Sequence, residues 1–366
     1  MLLIIFHMNI MKSNTWTDFY DSSISHEEIP NRYLYLEKKE NANFFLNHCS
    51  FSELKSRAIY ISYKDCPIVL AETSCFIGCS SSDNEQGGSI FFVGHSIIFN
   101  KCCFVDSNIY GTNKDGILAY LFCKNDENSL NYFLFSVVFG NGLKTQNGLS
   151  QIHQLYGLPY HESMNITQNF CNSYSIFKIE GSGDCWINNS LIVNNKDSGT
   201  GIMLNQPTEF YADQLEANEN QKSGEGTALI TSMKEILVFE SVIFYDSTHE
   251  VGIHCLNCGF LLSYSEVYTN IIGENCSFDF RSSCFSIHGV IRFNNIRTEN
   301  YIINCGQNII LNFTLYDKSI CFYLDPSSNI HITPTSESLP NRKESTYEKK
   351  SNLVRYIPFL GVYSNY

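Results

Sequence analysis

Two cysteines spaced as Cys255-Leu-Asn-Cys258 form the only Cys-x-x-Cys in the chain, one half of a common zinc-binding pattern. No second pair is present at a suitable spacing. If the segment is an extended strand, residues three apart face opposite sides, so the two thiols cannot share an ion without a turn. No metal and no cofactor is therefore expected. Glycoside hydrolysis needs two carboxylates facing the scissile bond, and lyase chemistry needs a basic residue beside a cation held by several acids. Acidic residues here are scattered singly or in charged runs, without an Asp-Asp pair or an Asn-Thr-Asp triplet. Ser286-Ile-His-Gly-Val-Ile-Arg292 sets His288 near Arg292, but no carboxylates accompany them, and His288 reads as an outward strand residue. Gly181-Ser-Gly-Asp184 and Gly199-Thr-Gly201 open no helix and carry no P-loop lysine, so they read as turns. No catalytic residue is assigned.

Those residues sit in a strongly apolar chain. Of 366 residues, 43% are hydrophobic and 17% charged, which is ample for a core and unlike a disordered chain. A net charge of -13, from 24 basic and 37 acidic residues, disfavours a nucleic-acid partner, because phosphate binding relies on Lys and Arg. The odd count of 15 cysteines leaves at least one thiol free or paired between chains. Sequons at Asn165, Asn188, Asn275 and Asn312 are usable for glycosylation only in a secretory compartment, and an Asn-rich chain also makes them by chance. The amino terminus MLLIIFHMNIMK has a short apolar run and no basic region before it, and reads as a degenerate signal or a misassigned start. No run of about 18 apolar residues suggests a membrane span.

A repeat organises the chain. In Gln86 to Ser107 a Gly87-Gly88 turn leads into a strand at Ser89 to Val93, a second at Ser96 to Asn100 and a third at Cys102 to Val105. Similar strands start at Ala58, Gly116, Ser175, Gly201, Ala228, Gly252, Phe285, Ile302 and Ser319, most of them roughly 17 to 33 residues apart. Alternation places Ile59, Ile61, Ile90, Phe92, Ile202 and Leu204 inward and Tyr60, Phe91 and Met203 outward. Aligned on closing phenylalanines at Phe76, Phe104, Phe139 and Phe244, the preceding residue is Cys75, Cys103, Val138 or Ile243. Cysteine there behaves as a small buried hydrophobe. Helical periodicity with capping boxes is almost absent, so the strands are not joined by βαβ crossovers. The expected fold is all-β, a right-handed parallel β-helix (a pectin-lyase-like solenoid) with capping segments. A β-sandwich or propeller is the competing architecture. Residues 1–47 read as an amino-terminal segment and cap, 48–330 as the repeat domain, and 331–366 as a flexible tail and terminal cap. Gly140 to Asn172, rich in Gly, Asn, Gln and His, reads as a degenerate coil or a projecting loop.

The Gly87-Gly88-Ser89-Ile90 turn and strand, the Phe44-Phe-Leu-Asn47 tetrad and the Cys-x-Phe steps at Cys49-Ser-Phe51 and Cys276-Ser-Phe278 resemble the repeats of polymorphic outer-membrane-type β-helix proteins. They are also similar to Cys- and Asn-rich repeats in surface proteins of anaerobic flagellate protists. The resemblance spans roughly Asn43 to Ser327. It implies a non-catalytic passenger or ectodomain at the cell surface or outside the cell, binding a host or cell-surface protein or glycan. A cytoplasmic placement is the alternative. The β-helix also serves polysaccharide lyases and glycoside hydrolases, the alternative function. If the strands register as proposed, Tyr60, Phe91, Tyr120 and Phe177 lie outside in one column, the expected partner contact.

Overall fold

The computed structural model describes residues 16–298, apart from short internal stretches. The strands expected at Ile302 and Ser319, the polar tail and the carboxy-terminal cap lie outside the described residues. The described residues belong to one compact unit, Met1–Ser328. The fold is a parallel β-helix solenoid, almost entirely β, as the repeat implies. Each coil contributes one short strand to each of three walls. Ile90–Val93 lies in sheet one, Ser96–Asn100 in sheet two and Cys103–Val105 in sheet three. The next coil repeats the order with Ala119–Phe122, Leu130–Leu134 and Val137–Phe139. Among the described residues, sheets one, two and three hold eleven, twelve and ten strands. Pairing is parallel and in register, as with Ile90 opposite Ala119 and Phe99 opposite Phe133. Stacked strands begin before residue 48: Leu34–Leu36 and Phe44–Asn47 already pair with the coil that contains Ile59 and Val69.

Strict register makes side chains recur in columns. Ile59, Ile90, Ala119, Ile152, Phe177 and Ile202 form one buried inner column of sheet one. Ile61, Phe92, Ile179 and Leu204 belong to the other and are likewise buried. On sheet three, Phe76 and Phe104 stack with ring centroids 5.0 Å apart inside the same core. Register corrects one alignment there: Cys75 and Cys103 stand opposite Val137, not Val138, and Phe139 matches Ile77 and Val105. Ile243 falls in the Cys75 column, reached through Asn165, Leu191 and Glu216. Cys75, Cys103, Val105 and Val137 form a small buried cluster apart from the main core. Cys103 is disulfide-bonded, a covalent tie that interchange with valine does not suggest.

The corners follow two rules. Between sheets two and three, a residue in the left-handed region is followed by Ser, Cys or another small or apolar side chain. The corner residues include Thr73 (φ 49), Lys101 (φ 56), Phe135 (φ 49) and Asn189 (φ 47). Ser136 Oγ accepts from Cys102 N–H at 3.0 Å and donates to Leu134 O at 2.7 Å. Ser190 does the same for Met164 N–H, at 3.2 Å, and Asn188 O, at 2.7 Å. Beyond sheet three, asparagines form a ladder. Asn141 N–H and Nδ2 both donate to Asn169 Oδ1 (3.1 and 2.9 Å), Asn169 to Asn195 Oδ1 (3.1 and 2.9 Å), and Asn195 to Asn220 Oδ1 (both 3.0 Å). Each Nδ2 also reaches a backbone carbonyl, for example Val138 O from Asn169 at 3.0 Å. The Gly87-Gly88 turn is tight for a steric reason: Gly87 has φ +78, and a Cβ on Gly88 would stand 2.0 Å from Ile117 O.

The segment from Gly140 to Asn172 is a full coil, with strands Ser150–Leu155, Leu158–Glu162 and Asn165–Thr167. Several of its buried positions are polar. Gln151 Nε2 donates to Phe170 O at 2.7 Å, and Gln154 Nε2 to Asn131 Oδ1 at 2.8 Å. His161 Nε2 lies 3.0 Å from Gln154 Oε1, and its ring packs on Phe177 with centroids 4.3 Å apart. Burial pushes the His161 pKa down to about 3, so the ring is neutral in the core.

Two substitutions test this architecture. Ile90→Lys and Ile202→Lys each place an unpaired ammonium in a fully packed column and should cost on the order of 4 kcal/mol. Melting at the parental temperature would show that these residues do not face inward. Asn169→Ala removes the Nδ2 donations to Val138 O, Thr167 O and Asn195 Oδ1 and leaves Asn141 without its acceptor, a loss of about 1–3 kcal/mol in denaturant titration. Asn169→Asp keeps the acceptor for Asn141 but turns a buried carboxylate oxygen toward Val138 O and Asn195 Oδ1, and should lose at least as much.

Candidate interaction surface

The outer column of sheet one runs Tyr60, Phe91, Tyr120, His153, Lys178 and Met203 in register. Tyr60 and Phe91 stack at 5.1 Å with 18° between ring planes, and Phe91 and Tyr120 at 5.4 Å with 14°. The Arg57 guanidinium lies 5.4 Å from the Tyr60 centroid and 5.7 Å from that of Phe91. Arg57 is itself anchored, donating from Nε to Gly87 O at 2.6 Å and from Nη2 to Gln86 O at 3.0 Å. Tyr60 is only 9% exposed, whereas Phe91 and Tyr120 are half-buried. Three of the four expected contact residues thus share the column. Phe177 does not. It is fully buried in the inner column beside Ile152 and Ile202, because the pairing slips by one residue between Tyr174 and Phe177. That bulge turns both Ile176 and Phe177 into the core and gives the outer place to Lys178.

The column continues into a charged cluster that hydrophobic alternation did not reveal. His153 Nδ1 is 3.3 Å from Asp115 Oδ2, and His153 Nε2 is 2.7 Å from Glu180 Oε2. Lys178 Nζ reaches the same two carboxylates at 3.1 and 3.3 Å. Ser150 Oγ donates to Asp115 Oδ1 at 3.2 Å, and Asn205 Nδ2 to Glu180 Oε1 at 3.4 Å. The hydrogen bond with His153, aided by the Lys178 charge, outweighs burial and holds Glu180 at about 2. Burial pushes Asp115 up, but the hydrogen bond and charge of His153 together with Lys178 leave it below its ordinary value. Burial likewise opposes the charge on Lys178, and the two carboxylates override it and raise the pKa. The only sequence signal was an Asp, a His, a Lys and a Glu on successive coils, and register is needed to bring them together.

The other sequence candidates fall as follows. Cys255 and Cys258 both enter the core, because Asn257 (φ 58) turns the chain between them. Cys258 N–H donates to Cys276 Sγ at 3.1 Å, and burial pushes the Cys276 thiol up to about 11. No group of three His, Cys, Asp or Glu residues stands where it could hold a metal ion, among the described residues. Asn165 and Asn188 are half-buried within strands, and Asn188 Nδ2 donates to Tyr160 Oη at 3.4 Å. Asn275, Asn312 and His288 lie outside the described residues, and Arg292 is a strand residue opposite Ile272. Gly181 (φ 60) is a turn glycine, as expected. No helix among the described residues is long and apolar enough to cross a membrane.

The fold and this surface define a parallel β-helix solenoid with ordered outer columns. Comparison with protein-family models, curated proteins and solved structures gives no match.

The charged cluster has a pH signature. The folded pKa of Glu180, about 2, lies below the ordinary 4.5, so its stabilising contribution is complete above about 4.5 and is lost as pH falls toward 2. Acid titration followed by circular dichroism should show stability declining through that window, with a shallower decline for Glu180→Gln. Identical profiles would mean that the cluster does not contribute.

Proposed function

We propose that the chain is a non-catalytic β-helix interaction protein of a cell surface or the extracellular space, like the outer-membrane-type passengers and protist surface proteins that its repeats resemble. It presents outer side chains of the solenoid to a host or cell-surface partner. The observation that carries this reading is the self-contained chemistry of the sheet-one column. Its rings stack on one another, and the Asp115 and Glu180 carboxylates are engaged by Lys178 and by the His153 ring. Groups committed in this way hold a rigid shape and charge pattern, which suits recognition. Carboxylates tied to a His and a Lys are poorly placed to exchange protons with a substrate.

Ring geometry favours a protein over a sugar as the partner. A pyranose packs on an aromatic face, but interplanar angles of 14° and 18° turn the faces of Tyr60, Phe91 and Tyr120 toward each other. Ring edges and the Tyr120 hydroxyl remain for side chains and backbone carbonyls of a partner.

Phe91→Ser combined with Tyr120→Ser should keep the β-sheet circular dichroism and abolish attachment of the purified protein to host cells. Unchanged attachment by the folded double variant would remove this column as the contact. Cleavage of glycans by the parent protein would overturn the non-catalytic reading and favour a lyase or hydrolase.

A further inference from the structure

The outer face of sheet two is divided. Over its early coils, the short helix Trp16–Phe19 and the following Tyr20 and Ile24 pack on Phe45, Leu70, Ile98 and Leu134. Trp16 is 3% exposed there. The central column of the same face continues in register as Trp186, Tyr211, Val238 and Leu261. All four are half-buried, and none of them belongs to the cluster that Trp16 covers. Beside Val238 on the same strand, Ile236 is 47% exposed, one of two large hydrophobic side chains so exposed among the described residues.

Carboxylates rim this uncovered stretch. Asp184 and Glu209 stand on one flank, two residues before Trp186 and Tyr211, and Asp213 and Glu240 stand on the other, in register. No Lys or Arg occupies a strand position of this face from Leu158 to Ser263. Burial raises the pKa of Asp184, and burial with the nearby Asp184 charge raises that of Glu209, which accepts a hydrogen bond from Tyr211 Oη. Trp186 and Tyr211 stack at 5.6 Å with 8° between planes, which closes their faces to a sugar ring. The acidic rim repels anionic ligands.

We propose that this stretch of sheet two docks a basic segment of a partner protein, with aliphatic or aromatic side chains along the Trp186, Tyr211 and Val238 column and Lys or Arg against the flanking carboxylates. The proposal rests on the interaction reading above and names the chemistry of the partner. The amino-terminal segment shows the docking mode within the chain itself: a short stretch anchored by one aromatic side chain covers the same kind of column.

The chain has two tryptophans, so Trp16→Phe leaves Trp186 as the sole indole reporter on this face. Titrating that full-length variant with a short peptide alternating lysine and leucine should shift Trp186 emission saturably, and added salt should weaken the binding. Asp184→Asn with Glu209→Gln, which preserves shape, should weaken it about tenfold. Removing two charges elsewhere, by Glu53→Gln with Asp106→Asn, should leave it unchanged. A glutamate–leucine peptide should not bind. The proposal is overturned if the glutamate–leucine peptide binds equally well, if the Asp184 and Glu209 variant binds as the parent does, or if the distant pair weakens binding as much. No peptide binding beside intact cell attachment would overturn this face and leave the interaction reading standing. Peptide binding by a protein that attaches to no cell would do the reverse.

Discussion

Everything in this molecule depends on the corner that returns each strand to lie over its predecessor. Parallel coils pair in register only if the chain turns by the same amount each time, and a non-glycine residue in the left-handed region makes that turn at a cost of order 1–2 kcal/mol. Thr73 and Phe135, poor choices for that conformation, hold it at φ 49 because the surroundings over-determine them. The next residue satisfies backbone groups that the turn would otherwise strand. Ser136 and Ser190 link the carbonyl before their own corner to an N–H of the preceding coil, and the ladder from Asn141 to Asn220 does the same at the other corner. Buried N–H groups left unpaired would each cost about 1–3 kcal/mol, so the ladders keep the stack from slipping.

Fixed corners make the inside and outside of the solenoid separate problems. Inside, one column can change from Ile90 to Ala119 to Phe177 as long as neighbours fill the space. Polar residues are admitted where they pair across the core, as Asn131, Gln154 and His161 do. Outside, register lines up whatever residues the coils supply. The same mechanism that stacks Tyr60, Phe91 and Tyr120 places His153 and Lys178 next in line, between Asp115 and Glu180. The functional reading therefore lies on the outer faces, where side chains are free of the packing constraint.

The two outer faces differ in what has been satisfied. On sheet one the rings find each other and the charges find each other. On sheet two the apolar column is covered by Trp16 over its first coils and is half-buried, with carboxylates on its flanks, from Trp186 onward. Surface that is apolar in its centre and of one charge at its rim is stabilised by a partner of opposite charge, whereas the sheet-one column offers a partner a fixed shape.

Local alternation was enough to determine the fold class and most of the core. Ile59, Ile61, Ile90, Phe92, Ile202 and Leu204 are inward because period two in a parallel stack has one consistent solution. Tyr60, Phe91 and Tyr120 follow as outward neighbours. Other features depend on contacts between coils, which no single strand encodes. The coil at Ser150–Thr167 was ambiguous because Gln151, Gln154 and His161 are polar at core positions, and only partners from other coils make them acceptable there. Phe177 moved inside because a bulge adds one residue to its strand, which shifts the faces without altering the apolar pattern. The match of Cys103 to Val137 required hydrogen-bond register, since Val137 and Val138 are indistinguishable as letters. Asp115, His153, Lys178 and Glu180 are up to 65 positions apart in the chain and became a cluster only when stacking brought successive coils to about 4.8 Å.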